Sequence, residues 1–129
     1  GGSMPSGWTR WLLEQHDFAF DLVYPGQIDA GALAGRYDVL ILPSGAIPLP
    51  RALGGPPAPR SSYVLRTPRR EDLPEEFHGL LGSFSEEKTV PALRAFTEAG
   101  GTIVAVGTSS QLAHHLNLPV KNALVELTP

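Results

Sequence analysis

Cysteine is missing from all 129 residues, which excludes disulfides, thiolate metal sites and a thiol nucleophile within the chain. That absence leaves the compartment open. Long apolar runs are missing too: nothing approaches the roughly eighteen consecutive hydrophobic residues of a bilayer span. Charge of one sign is scarce. Ten basic against 13 acidic residues leave a net charge of -3, which offers no electrostatic attraction for nucleic acid or an anionic membrane. No signal peptide opens the chain. Gly1-Gly2-Ser3 before Met4 reads as an expression-vector remnant, so an export signal removed upstream is compatible with this start.

The hydrophobic content of 42% is that of a globular protein, and the length suits one domain over residues 4–129 with a modest core. The most informative stretch runs from Glu98 to Leu116. A helix is expected to close at Gly100-Gly101, where glycine accepts the left-handed backbone of a helix end. Thr102–Val106 is β-branched and reads as a short buried strand. The chain then turns at Gly107 and is expected to start another helix at once. Thr108 and Gln111 there have capping-box spacing. Helix, strand, tight turn and helix make half of a parallel α/β unit, whose turn is where such folds place their chemistry.

The remaining segments read as supports for that turn. Ser6 is expected to cap a helix to about His16, with Trp8, Trp11, Leu12 and Gln15 on one face and the tryptophans as core anchors. Phe18–Tyr24 alternates as a strand stopped by Pro25-Gly26. Asp29 is expected to cap a short helix through Leu33 that ends at Gly35. Val39–Leu42, four apolar residues ended by Pro43-Ser44-Gly45, read as a strand buried on both faces. Residues 46–72 hold six prolines and five of the ten basic residues, Arg51, Arg60, Arg66, Arg69 and Arg70. They read as a solvated insertion or, alternatively, as a basic lid or docking arm for an acidic partner, with Tyr63–Leu65 as a brief strand. Pro74–Leu81 is expected to be a short helix. Thr89 is expected to cap the next one, with Pro91 in its first turn and Val90, Leu93 and Phe96 as its buried stripe. Asn117 and Pro119 provide a stop, and Val120–Leu127 reads as a strand or tail.

A strand-to-helix elbow presents one side chain and the following N–H groups above the sheet, and this chain puts glycine at its tip. Tyr37-Asp-Val-Leu-Ile-Leu-Pro-Ser-Gly45 resembles the "YDxhhhPGG" strand and loop of class I glutamine amidotransferase-like domains, the superfamily that includes PfpI-type proteases. Ala99–Ala113 resembles that superfamily's "GGxhhxhCxGxQxLA" elbow. Gly107 stands at the cysteine, Ser109 at the following glycine, Gln111 at the frequent glutamine, and Thr108 where PfpI-like members place histidine. The later His-x-Glu pair has no counterpart. A narrower resemblance rests on Gly7-Trp-Thr-Arg-Trp-Leu-Leu-Glu-Gln15, the Tyr37–Pro43 strand, Gly100–Ser110 and Leu116–Val120. These look like amidotransferase-like domains that follow the catalytic domain in bacterial zinc carboxypeptidases of the carboxypeptidase A type.

That resemblance implies a flavodoxin-like three-layer α/β sandwich with a small parallel sheet, and a parent enzyme that binds zinc, hydrolyses C-terminal peptide bonds and is secreted or periplasmic. The parent's zinc motif, His-x-x-Glu, follows none of His16, His78, His114 or His115, so zinc and the catalytic domain are expected outside this chain. Such domains open with a central strand, yet only residues 1–7 precede the first helix. In a flavodoxin-like order that strand lies between Phe18–Tyr24 and Val39–Leu42. Its absence predicts a rearranged sheet, or a homodimer formed by exchanged or added strands, with a cut at Pro129 also compatible.

Three functions follow. The first is a non-catalytic accessory domain, a scaffold or docking module with a pseudo-active site and no catalytic residue. The second is a small-anion or metabolite module at the degenerate elbow, built from Ser44, Gly45, Gly107, Thr108, Ser109 and Ser110. The third is a serine hydrolase using Ser109 or Ser110 with His114 or His115 as base. His114 and His115 diverge by about 100° on a helix and cannot share one metal ion on regular backbone.

Overall fold

Leu40 and Leu42 face the centre of the molecule, and the elements are best understood by how they cover these two residues. The computed structural model describes residues 3–50, 53, 69–121 and 123. In chain order the regular elements are α1 (Met4–Gln15), α2 (Pro25–Asp29), β1 (Val39–Leu42), α3 (Thr89–Glu98), β2 (Thr102–Ala105) and α4 (Leu112–His115). Turns of 3₁₀ helix cover Arg70–Asp72, Glu75–Leu80 and Gly107–Gln111. The molecule is therefore mixed α/β. Among the described residues its sheet is one parallel pair, in which Val39, Leu40, Ile41 and Leu42 oppose Thr102, Ile103, Val104 and Ala105.

Parallel strands need a crossover, and α3 supplies it. Val90, Leu93 and Phe96 are buried along its inner face, as their spacing predicts. Leu93 and Phe96 meet Leu33, Leu40, Leu42, Ile47 and Leu112 in a single core, with Ile103, Phe84 and Leu116 packed at its margin. Pro91 lies in the first turn, where its missing N–H costs little. Thr89, however, is the first helical residue and not the cap. Its hydroxyl donates to Asp29 Oδ1 at 2.7 Å and accepts the Ser85 N–H at 3.0 Å, so it ties α3 to α2.

Three helices close in one way. After α3, the Gly101 N–H returns to Phe96 O and the Gly100 N–H to Thr97 O, with Gly100 at φ +97°. This is the Schellman arrangement expected at Gly100-Gly101. After α4, Asn117 takes the left-handed position at φ +56°, with Leu118 N–H on Ala113 O. After α1, Asp17 does so at φ +54°, with Phe18 N–H on Leu13 O.

Several expectations are corrected. The cap of α1 is Ser3, whose hydroxyl accepts the Ser6 N–H at 3.2 Å, and Pro5 then falls in the first turn. Trp8 and Trp11 are 64% and 50% exposed, and among the described residues α1 buries none of its side chains. Phe18–Tyr24 is irregular: a strand exists only where a neighbour completes its hydrogen bonds, and among the described residues this segment has none. Pro25 begins α2, capped at Tyr24, whose N–H is accepted by Gln27 Oε1 at 2.9 Å, and Asp29 ends that helix where it was expected to start one. Pro74–Leu81 forms 3₁₀ turns over Glu75–Leu80. Neither strand is buried on both faces: β1 alternates exposed and buried, and β2 contains no fully buried residue.

In the proline-rich segment, Arg69 forks onto Asp72 at 3.0 and 3.1 Å, and Arg70 Nε donates to His78 Nδ1 at 3.1 Å. Arg51, Arg60, Arg66 and the Tyr63–Leu65 strand lie outside the described residues, as does most of Val120–Leu127. No helix among the described residues is long and apolar enough to cross a membrane.

Candidate functional site

The parallel register brings two loops together at the C-terminal ends of β1 and β2, Pro43–Ile47 and Gly107–Gln111. The Val106 N–H bonds Leu42 O at 2.9 Å, which extends the ladder to the brink of both loops. All six residues expected at the elbow lie on these two loops. Gly107 marks the sharp strand-to-helix turn, at φ +57°.

Side chains stitch the loops closed. The Thr108 N–H donates to Ser44 Oγ at 3.2 Å, and the Gly45 N–H donates to Thr108 Oγ1 at 2.8 Å. The two hydroxyls also bond each other at 3.1 Å. Deeper in, Ser109 is completely buried. Its hydroxyl donates to Pro43 O at 2.6 Å and accepts the N–H groups of Ala46 at 3.1 Å and Ile47 at 3.2 Å. Buried backbone donors and acceptors require partners, and this one hydroxyl serves three.

Gly107 carries the same point in steric form. A Cβ at this position would lie 2.7 Å from Ser44 Oγ and 2.9 Å from Ser44 Cβ. The space above the elbow, where an elbow nucleophile would project, is occupied by the serine of the facing loop. The left-handed φ adds strain for any side chain.

The arrangement has chemical consequences. Ser109 lacks the exposure of an attacking hydroxyl and has its proton committed to a carbonyl. Ser110 is exposed, and among the described residues no hydrogen bond joins it or Ser109 to His114 or His115. His115 is turned elsewhere. Its side chain is 3% exposed, its Nε2 bonds Pro48 O at 2.8 Å, and its ring lies 5.0 Å from that of Phe84. The Nε2 contact with a carbonyl requires a proton on that nitrogen, which leaves Nδ1 facing Glu86 Oε1 at 4.0 Å. The N–H groups of Gly45, Ala46, Ile47 and Thr108 already have hydroxyl acceptors, so an anion taking these four would have to displace Ser44, Thr108 or Ser109.

The expected Thr108–Gln111 capping box does not form, because Thr108 turns outward to the facing loop. The helix is delayed by the 3₁₀ turn, and Gln111 Oε1 is buried with no hydrogen-bond partner among the described residues. The cross-loop bonds were invisible in the sequence. They join residues more than sixty positions apart, and Ser44 and Thr108 read locally as turn and cap residues. Among the described residues no three His, Cys, Asp or Glu side chains are grouped so as to hold a metal ion. Comparison of the chain with family models, with curated proteins and with solved structures finds no match to any of them.

Proposed function

We propose that this chain is a non-catalytic, amidotransferase-like accessory domain, a scaffold or docking module of a bacterial zinc carboxypeptidase of the carboxypeptidase A type. On this reading its α/β core belongs to a flavodoxin-like sandwich. The catalytic domain and its zinc lie outside the described residues, and the parent acts in the periplasm or outside the cell. The motif resemblance supports the kinship. One structural observation supports the lack of chemistry: the Cβ position of Gly107 is filled by Ser44, and the loops beside it are clasped through Thr108 and Ser109. A reactive group at this tip would need a different residue at both 44 and 107. The strand-to-helix bend also carries Leu112 back into the core that holds Leu42.

The test is turnover by the purified chain on amide, ester and glycated substrates. The expected result is no rate above buffer, and no labelling by a fluorophosphonate. Turnover that disappears in Ser110→Ala, with the fold intact by circular dichroism, overturns the proposal and favours the hydrolase reading.

A further inference from the structure

His78 and His115 hold the two described flanks of the proline-rich stretch by the same device. His115 Nε2 bonds Pro48 O at 2.8 Å, and His78 Nε2 bonds Leu73 O at 2.9 Å. A carbonyl only accepts, so each neutral ring carries its proton on Nε2 and presents a bare Nδ1. What faces that second nitrogen differs in sign. At His115 it is a carboxylate, Glu86 Oε1 at 4.0 Å. At His78 it is a cation: Arg70 Nε donates to Nδ1 at 3.1 Å. An arginine in a protein does not give up its proton, so the Arg70 contact exists only while His78 is neutral. One tautomer of one protonation state fits it.

The charges around His78 supply a second partner. Arg69 is paired with Glu71 at 2.7 Å and with Asp72 at 3.0 Å, so those two carboxylates already have their cation. α2 packs on the Glu75–Leu80 turn, and its charged residue, Asp29, accepts the Thr89 hydroxyl at 2.7 Å. His78's own turn opens with Glu75 and Glu76, both exposed. In 3₁₀ geometry side chains three positions apart stand in line, which sets Glu75 beside His78. We propose that His78 exchanges partners with pH: neutral, it accepts from Arg70, and protonated, it releases Arg70 and donates to Glu75. Acid adds one proton to Nδ1 from solvent, and the Nε2–H bond to Leu73 O is compatible with both states. The Arg70 contact is therefore present near neutral pH and lost as the pH falls. The Pro48 flank responds differently, because a proton on His115 Nδ1 meets Glu86. The other charged groups by that ring are His114, next along α4, and Arg94 of α3, which donates to Leu116 O at 3.3 Å. Acid thus frees the flank at Arg70 and leaves the flank at Pro48 held.

The test is nuclear magnetic resonance of the isotope-labelled chain at about pH 7.5 and about pH 5, which bracket ordinary histidine titration. At the higher pH the His78 ring should carry its proton on Nε2, and a scalar coupling across the hydrogen bond should join Nδ1 to Arg70 Nε. At the lower pH that coupling should disappear, and the Arg70 Nε–H signal should move to the position of a free arginine. The His115 Nε2–H signal should persist at both. Arg70→Met should shrink the pH-dependent displacement of the Leu73 and Phe77 amide signals about threefold or more. Glu75→Gln should leave the Arg70 contact in about three times as large a share of molecules at the lower pH. Both changes are at exposed positions, and circular dichroism checks that the fold is kept. A proton on His78 Nδ1 at the higher pH, or an Arg70 signal identical at both, overturns the proposal. Glu75→Gln without effect overturns the exchange onto Glu75, and loss of the His115 signal in acid overturns the unequal response of the two flanks.

Discussion

Ser44 and Gly107 show how one residue decides whether an elbow is reactive. Adding a methyl group at 107 meets Ser44 Oγ at 2.7 Å in a left-handed conformation. Gly107→Ala should therefore destabilise by about 1–3 kcal/mol, and Ser44→Gly in the same chain should recover part of the loss. Urea denaturation of the four-member cycle measures the coupling. Ser109→Ala removes the acceptor of two loop N–H groups and the donor to Pro43 O, and should cost about 1–3 kcal/mol or more in the same assay. Gln111 runs the other way. Its buried oxygen has no partner among the described residues, so Gln111→Met should be neutral or raise the melting temperature, since a lone buried acceptor carries a desolvation cost with no bond to offset it. The residue types at the elbow were legible in the sequence. Their bonding was not, because a hydroxyl that satisfies a distant loop has the same letter as one that caps its own helix.

Among the elements, those with strong local punctuation were legible. Gly100-Gly101 ends α3 as expected, and Gly101 also lets the Phe96 ring lie directly on the backbone, where a Cβ would overlap its Cζ and Cε atoms. Gly101→Ala should displace that ring and cost about 1–3 kcal/mol, visible as a lower melting temperature. Asn117→Gly at the matching position after α4 should be neutral or mildly stabilising, since glycine takes φ +56° without strain. Elements that depend on a neighbour were not legible. Phe18–Tyr24 has strand chemistry but no ladder, and Pro25-Gly26, expected only to stop it, opens α2. Proline's fixed φ suits both a strand's end and a helix's first turn, so the letters alone leave the choice open.

At the scale of the whole molecule, one small core does most of the stabilising. Phe96→Ala should remove about 3–5 kcal/mol of the roughly 5–15 kcal/mol typical of a domain. It should lower near- and far-ultraviolet circular dichroism transitions together in urea. Composition and periodicity alone determined the α/β class, the burial of Val90, Leu93 and Phe96, and the bend at Gly107, because each depends on neighbours within a turn or two of chain. Only the tertiary structure decided that Trp8 and Trp11 stay exposed, that each strand has one open face, and that Ser44 sits in the space above residue 107. Those outcomes depend on what lies opposite a side chain across the fold, and hydrophobicity records the wish to be covered without naming the surface that does it.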